Sequence, residues 1–287
     1  MVSRFLIALI PSIDSLDPAK QALAGTLTSG LRSVFACALT ITVRETEPKV
    51  EFEELLPSWF WPTLEQLIHA ETVASKEAQV RLGLRFDYYF LPEASVKESF
   101  RRPRDLDIDL ITSHCARTPG NTSGGVPSLL KSYGLLDNRI VLSPLGGATQ
   151  SDIDLLREAN AYISASTSTE MTMGLGPPCC FRHDLDGVND ICSLGIDCHC
   201  TTSGSMINEV RAGLLAARGS HATHHISTKG SLPSSVCSTS EDAFKMIMIQ
   251  GACALNMEDE IGSIAVGKKA DLVVFNTSTT AMTVAAQ

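Results

Sequence analysis

The sequence predicts an α/β fold built on a parallel sheet, and three observations carry that reading. Strand-like and helix-like patterns alternate from near the first residue almost to the last, giving seven strands each followed by a helix. The 287 residues are 44% hydrophobic and 19% charged, which is enough apolar material for a substantial core and the opposite of a disordered composition. Right-handed crossovers then leave two architectures, a doubly wound open sheet or a closed barrel, and barrels of this kind run to about 250 residues as one domain. An open sheet announces its nucleotide site with a glycine-rich first turn, whereas the turn here is Pro11-Ser12-Ile13-Asp14. Gly124-Gly125, Gly146-Gly147 and the Gly174/Gly176 pair read as tight turns.

The elements follow in order. Phe5 to Ile10 is a short apolar strand ended by Pro11; Asp17-Pro18 supplies an N-cap and a first-turn proline for a helix that runs to Ser29 and stops at Gly30. Arg32 to Val43 is β-branched and apolar and reads as a buried strand. Pro62 opens a long helical segment to about Leu82, followed by an aromatic-rich extended run, Leu84 to Phe90. A helix from about Pro92 to Arg102 leads to a strand over Asp107 to His114. Val126 to Leu135 is helical and Asn138 to Ser143 a strand; Thr149 with Asp152 resembles a capping box, opening a helix that ends near Asn160. Ala161 to Ser166 is a strand, Pro178 to Asp186 helical, Asn189 to Asp197 a strand, with long helices at Ser205 to Arg218 and Ser240 to Leu255.

Charge and composition exclude several functions. Lys plus Arg is 23 against 32 for Asp plus Glu, a net −9, and no basic run exceeds Arg101-Arg102 or Lys268-Lys269, so nucleic acid is a poor partner. Phe5 to Ile10 falls far short of the ~20 residues of a membrane span and makes a weak secretory leader. Nine cysteines, some adjacent (Cys179-Cys180) or alternate (Cys198, Cys200), suit free thiols in a reducing, cytoplasmic setting better than disulfides. Cys179, Cys180, Cys192, Cys198 and Cys200 match no zinc-binding spacing. His221, His224 and His225 fall in a Ser/Thr/Gly-rich stretch that reads as a loop, and the aromatic run Trp59-Phe60-Trp61 reads equally as a lid or as rim packing.

A barrel places its chemistry at the carboxyl ends of its strands. Those ends carry His114, Pro144, Glu170 just past a strand, and Asp197 with His199. At these residues the chain resembles the amidohydrolase superfamily, in the branch of chlorohydrolases, guanine deaminase and cytosine deaminase-like enzymes, and among them fungal-type members. The resemblance runs from Asp14 to Phe275 with gaps, and its most specific segments are EMTMGLGPP (Glu170 to Pro178) and IGSIAVGKKADLVVF (Ile261 to Phe275). It implies a TIM-like (β/α) barrel lacking its first strand over residues 1–258. Residues 259–287 would be the return to a small accessory β-sandwich, present as a remnant and tail.

The resemblance also implies one divalent metal, zinc by preference, with His114 as the fifth-strand ligand and Asp197 as the eighth-strand aspartate. Pro144 stands where the sixth-strand histidine belongs, and no His-x-His occurs in the chain, so the inherited ligand set is incomplete. A catalytic zinc takes three protein ligands and one water. In an extended strand Asp197 and His199 would face the same way, making His199 a candidate third ligand. Three readings stay open. The first is a hydrolase of non-peptide C–N or related bonds in a small organic molecule, of secondary-metabolic type, using His114, Glu170, Asp197 and His199. The second is a metal-independent acid–base enzyme (isomerase, cyclase, dehydratase or decarboxylase) using the same residues. The third is a non-catalytic homologue that binds a ligand or pairs as a homodimer to cover unpaired strand edges.

Overall fold

The computed structural model describes residues 5–8, 16–38, 43–49, 51–52, 57–70, 78–117, 125–198, 200, 202–274, 276 and 278. Its elements run β1 (Phe5–Ala8), α1 (Leu16–Thr28), β2 (Ser33–Ala38), β3 (Val43–Glu45), β4 (Glu51–Phe52), α2 (Phe60–Ile68), β5 (Val80–Arg85), α3 (Glu93–Asp105) and β6 (Ile111–Ala116). They continue with α4 (Val126–Tyr133), β7 (Ile140–Gly146), α5 (Gln150–Glu158), β8 (Tyr162–Ala165), α6 (Thr167–Thr172), α7 (Val188–Ile191), β9 (Cys192–Leu194), α8 (Met206–Lys229), α9 (Ser240–Ile247) and α10 (Ile249–Cys253). Seven strands form one sheet in the order β1-β2-β5-β6-β7-β8-β9, and β3-β4 is a separate antiparallel pair. Every pairing in the large sheet is parallel. Among the described residues no pairing joins β9 to β1.

Alternation along each strand divides this sheet into two faces. Phe35, Leu82, Leu84, Ile111, Ile140, Leu142, Ile163 and Cys192 belong to the main core, together with Leu23 of α1, Leu64 of α2, Phe100 of α3, Leu130 of α4, Leu156 of α5 and Met246 of α9. Each fully buried Phe or Leu there contributes roughly 1.5–3 kcal/mol. The intervening residues face a lumen. At the amino-terminal ends of the strands Val34, Leu110 and Val141 close it with Leu255, Met257 and Ile261. Toward the carboxyl ends its walls turn polar, with His114, Ser143, Ser164 and Ser193. One glycine makes that closure possible: a Cβ on Gly83 would come within 2.9 Å of Val34 Cγ1 and 3.3 Å of the Leu110 carbonyl oxygen.

Local signals explain the ends of several elements. The expected capping box forms: Thr149 accepts from the Asp152 amide, and the Asp152 carboxylate accepts from the Thr149 amide. Asp152 is also held by Arg117, just past β6, at 2.9 Å, which ties α5 to the sheet. Phe60 and Trp61 are buried, and Arg102 lies over the Trp61 ring at 5.2 Å, so the aromatic run packs against the rim.

Four sequence expectations are corrected. The helix from Pro62 does not reach Leu82: α2 ends at Ile68, and Val80–Arg85 is a strand paired with β2 and β6, because tertiary pairing overrides helical propensity there. The strand from Arg32 ends at Ala38, and Val43 belongs to the β3-β4 pair. Residues 178–186 are turns rather than helix, with Phe181 at φ 62° and Arg182 folded back on Asp184 at 3.0 Å. The helix from Ser205 passes through Gly219 and includes His221, His224 and His225; it stops at Lys229, where Gly230 adopts the left-handed cap. No helix among the described residues is long and apolar enough to cross a membrane.

Candidate active site

The lumen holds a cavity of about 740 Å³ that extends from its apolar closure at Val141, Leu255 and Ile261 to the polar carboxyl ends of β6 to β9, lined also by Arg85 and by part of the segment from Met246 to Val273. Parallel register brings its best-organised group together. Arg85 pairs with Thr112, so the residue two beyond β5 comes level with His114 on β6. That residue is Asp87. Its Oδ1 accepts the His114 backbone N–H at 2.7 Å, and its Oδ2 lies 2.9 Å from His114 Nδ1. The Arg85 guanidinium donates to the same Oδ2 through Nε at 2.9 Å and Nη2 at 2.7 Å.

Burial alone would raise the Asp87 pKa, but the His114 hydrogen bond and the positive charges of His114 and Arg85 outweigh it and hold the carboxyl at about 2. An ionised carboxylate can only accept, so in the neutral imidazole Nδ1 carries the proton and Nε2 the lone pair. The 3.0 Å approach of Arg85 Nη2 to Nδ1 is therefore two donors sharing one acceptor, Asp87. His114 is half exposed, with 51% of its side-chain surface open, and lines the cavity.

Asp197 lines the same cavity. It lies beyond the end of β9 at φ 62°, a left-handed conformation that Asp tolerates better than most residues and that costs of order 1 kcal/mol. Buried Thr169 of α6 holds this turn from behind: its hydroxyl donates to the Ile196 carbonyl at 3.0 Å and accepts from the Cys198 amide at 3.3 Å. The extended geometry expected to aim residues 197 and 199 alike fails at Asp197, and His199 lies outside the described residues.

Glu170 does not line the cavity. It is 1% exposed behind Ser166, which does, and Oε1 accepts the Ser166 amide at 2.8 Å while buried Oε2 has no hydrogen-bond partner among the described residues. Burial raises its pKa to about 7; the Ser166 hydrogen bond opposes the rise, and the negative charges of Asp197 and Glu209 add to it. Glu209 of α8 is also buried and accepts the Ser168 amide at 3.0 Å. Pro144 is level with Cys115, and its neighbour Ser143 reaches into the cavity while donating to the Ser164 carbonyl at 2.9 Å.

The structure thus brings His114 and Asp197 to one cavity and sets Glu170 one layer behind it. Sequence reading missed Asp87 and Arg85; the available signal was a carboxylate placed just past a strand end. The implied zinc centre does not fit the described donors. His114 and Asp197 are two ligands where three are usual, and no group of three or more His, Cys, Asp or Glu among the described residues could hold a metal ion.

Comparison with known proteins gives the family. Residues 116–286 match the model of the Amidohydrolase family. The 5'-deoxyadenosine deaminase of Methanobrevibacter smithii is 32% identical over 154 residues, covering 52% of this chain and 32% of that protein. The s-triazine hydrolase of Gordonia rubripertincta is 26% identical over 160 residues, covering 54% and 30%. Among solved structures, an adenosine deaminase from Xanthomonas campestris with bound zinc superposes with a TM-score of 0.69 at 17% identity, over 92% of this chain and 57% of that one. Escherichia coli guanine deaminase gives 0.65 at 16% identity, over 94% and 60%. At that identity the likeness is one of fold, a TIM-like α/β barrel. The chain spans about a third of the length of these two curated relatives.

Proposed function

The chain belongs to the amidohydrolase family, and from that premise we propose that it is a hydrolase of a non-peptide C–N or related bond in a small organic molecule bound in the lumen cavity. The observation that carries the proposal is the Asp87–His114 pair, whose geometry leaves one ring nitrogen free to face a cavity shared with Asp197. Residues 1–258 form the barrel unit in this reading. Residues 259–287 are the accessory segment, whose first part packs back on the barrel through Arg81 to Glu260 and Arg32 to Asp271 at 3.1 Å.

The steps assigned to the chain's own groups are few. The lumen walls hold the substrate and limit its access to water. His114 Nε2 takes a proton from the attacking water, and the resulting imidazolium is stabilised by Asp87, whose carboxylate already faces the other nitrogen. Asp197, which lines the same cavity, orients the water or the leaving group. Glu170 acts on Asp197 from behind as a positioning group that carries a proton at lower pH. His199, the second residue after Asp197 in the sequence, is kept as a candidate catalytic group. Positioned general-base catalysis of this kind contributes about 10²–10⁴-fold.

The two-donor set favours one second reading, a metal-independent isomerase or lyase in which His114 moves a proton on the substrate itself. A screen separates the two. Purified protein is incubated with amino- and chloro-substituted nitrogen heterocycles of nucleoside and triazine type, and ammonia and chloride release are measured. Release of either supports the hydrolase; conversion of substrate to an isomer or an elimination product, without uptake of water oxygen, supports the second reading.

A further inference from the structure

Two thiols meet beside the candidate site. Cys198 Sγ and Cys200 Sγ are 3.0 Å apart, closer than two unbonded sulfurs ordinarily approach and within reach of the ~2.05 Å bond length of a disulfide. Cys200 is exposed and Cys198 partly so, whereas Cys37, Cys115, Cys179, Cys180 and Cys192 are buried. Burial pushes the Cys37 and Cys115 thiols up to about 12, which leaves them without thiolate at neutral pH, whereas the Cys200 thiol, also raised, owes its shift first to the hydrogen bond with Cys198 and then to that sulfur's charge. The pair follows directly on Asp197, and the Cys198 carbonyl accepts both the amide and the hydroxyl of Thr202 at 3.2 Å. This contact turns the chain back on itself just where the two sulfurs face each other.

We propose that Cys198 and Cys200 are a reversible oxidation site, forming a disulfide with each other at the expense of a low-molecular-weight disulfide such as oxidised glutathione. The exposed Cys200 thiolate attacks one sulfur of the small disulfide. That S–S bond breaks, and one glutathione thiolate leaves with the electron pair. Cys198 then attacks Cys200 Sγ in the mixed disulfide and displaces nothing but the second glutathione. The protein sulfurs are oxidised, the small disulfide is reduced to two thiols, and the two protons lost by the cysteines end on them. The closed form adds a clamp on the carboxyl side of Asp197 to the one that Thr169 already applies through Ile196 and Cys198.

The proposal rests on the two sulfurs and not on the reaction assigned to the cavity, so it is tested by mass rather than by turnover. The native full chain is equilibrated with oxidised glutathione, free thiols are alkylated, and the tryptic peptide covering 183–211 is weighed. With alkylation carried out after unfolding, the expected result is a peptide short of two hydrogens in which fragmentation places the one alkyl group on Cys192 and none on Cys198 or Cys200, both recovered as free thiols after dithiothreitol. Cys198→Ser and Cys200→Ser, which alter accessible positions, should each carry one glutathione instead. Recovery of both cysteines alkylated, or of two glutathiones on the wild-type peptide, would overturn the proposal. So would loss of thiol confined to Cys237 and Cys253.

Discussion

Asp87 grips His114 at two points, taking its backbone N–H on one oxygen at 2.7 Å and its ring nitrogen Nδ1 on the other at 2.9 Å. Backbone and imidazole are thereby fixed against one carboxylate, and that carboxylate is in turn fixed by Arg85. The tautomer of His114 follows from this arrangement, and so does the availability of Nε2.

Replacing Asp87 by Asn keeps the shape but removes the ionised acceptor. Asp87→Asn is expected to lower kcat/KM about 10–100-fold, as the imidazole loses the carboxylate that orients it and faces the charge it takes up. Steady-state kinetics on whichever substrate the screen identifies would check this; an unchanged kcat/KM would separate Asp87 from the chemistry.

Glu170 makes the opposite prediction for stability. Its folded-state pKa of about 7 lies above the ordinary value of 4.5, so the folded protein resists ionisation that the unfolded chain accepts. Stability should be unaffected below about pH 4.5 and fall as pH rises from there to about 7, by up to about 3 kcal/mol. Glu170→Gln retains an oxygen for the Ser166 amide and removes the charge. Urea melts should show the variant more stable than wild type at pH 8 and equal to it at pH 4.5.

The α5 cap joins two local signals to one long-range contact. Thr149→Ala should cost about 1 kcal/mol, the ordinary value of an N-cap. Asp152→Ala should cost about 3 kcal/mol, since it removes the cap partner and leaves Arg117 without the buried carboxylate it holds at 2.9 Å. Thermal or urea unfolding of the two variants measures the difference.

Gly83→Ala is expected to destabilise by about 1–3 kcal/mol, because the added methyl group meets Val34 at 2.9 Å and the Leu110 carbonyl at 3.3 Å inside a closed lumen. Denaturant unfolding checks it, and a neutral result would mean that the lumen floor yields at small cost.

What the sequence made legible was whatever is written locally. Alternating residues such as Ile111 to His114, a turn residue such as Gly30, and the Thr149/Asp152 box all act within a few positions of themselves, and most strands of the parallel sheet could be read from such signals. The failures were non-local. Val80 to Leu82 looked helical because nothing nearby says that β2 and β6 flank it. Gly219-Ser220 looked like a stop because helix α8 is held by packing, Leu214 and Ala217 being buried against the core, rather than by propensity. Asp87 was invisible as a partner of His114 because only strand register places two residues so far apart in the chain at one level. The candidate site was legible in the same proportion: His114 and Asp197 stand at strand ends where barrel chemistry is expected, while the carboxylate that orients His114 required the pairing of β5 with β6.

The central claim is that His114 and Asp197 act on one bound molecule, and a double-mutant cycle on turnover tests it most directly. Rates are measured for wild type, His114→Ala, Asp197→Asn and the double variant on the substrate found by the ammonia and chloride screen. Each single substitution is expected to reduce kcat at least about 100-fold, with the double variant little worse than either, as for groups that work as a unit. Single variants that turn over at the wild-type rate, or losses that simply multiply in the double variant, would contradict the account.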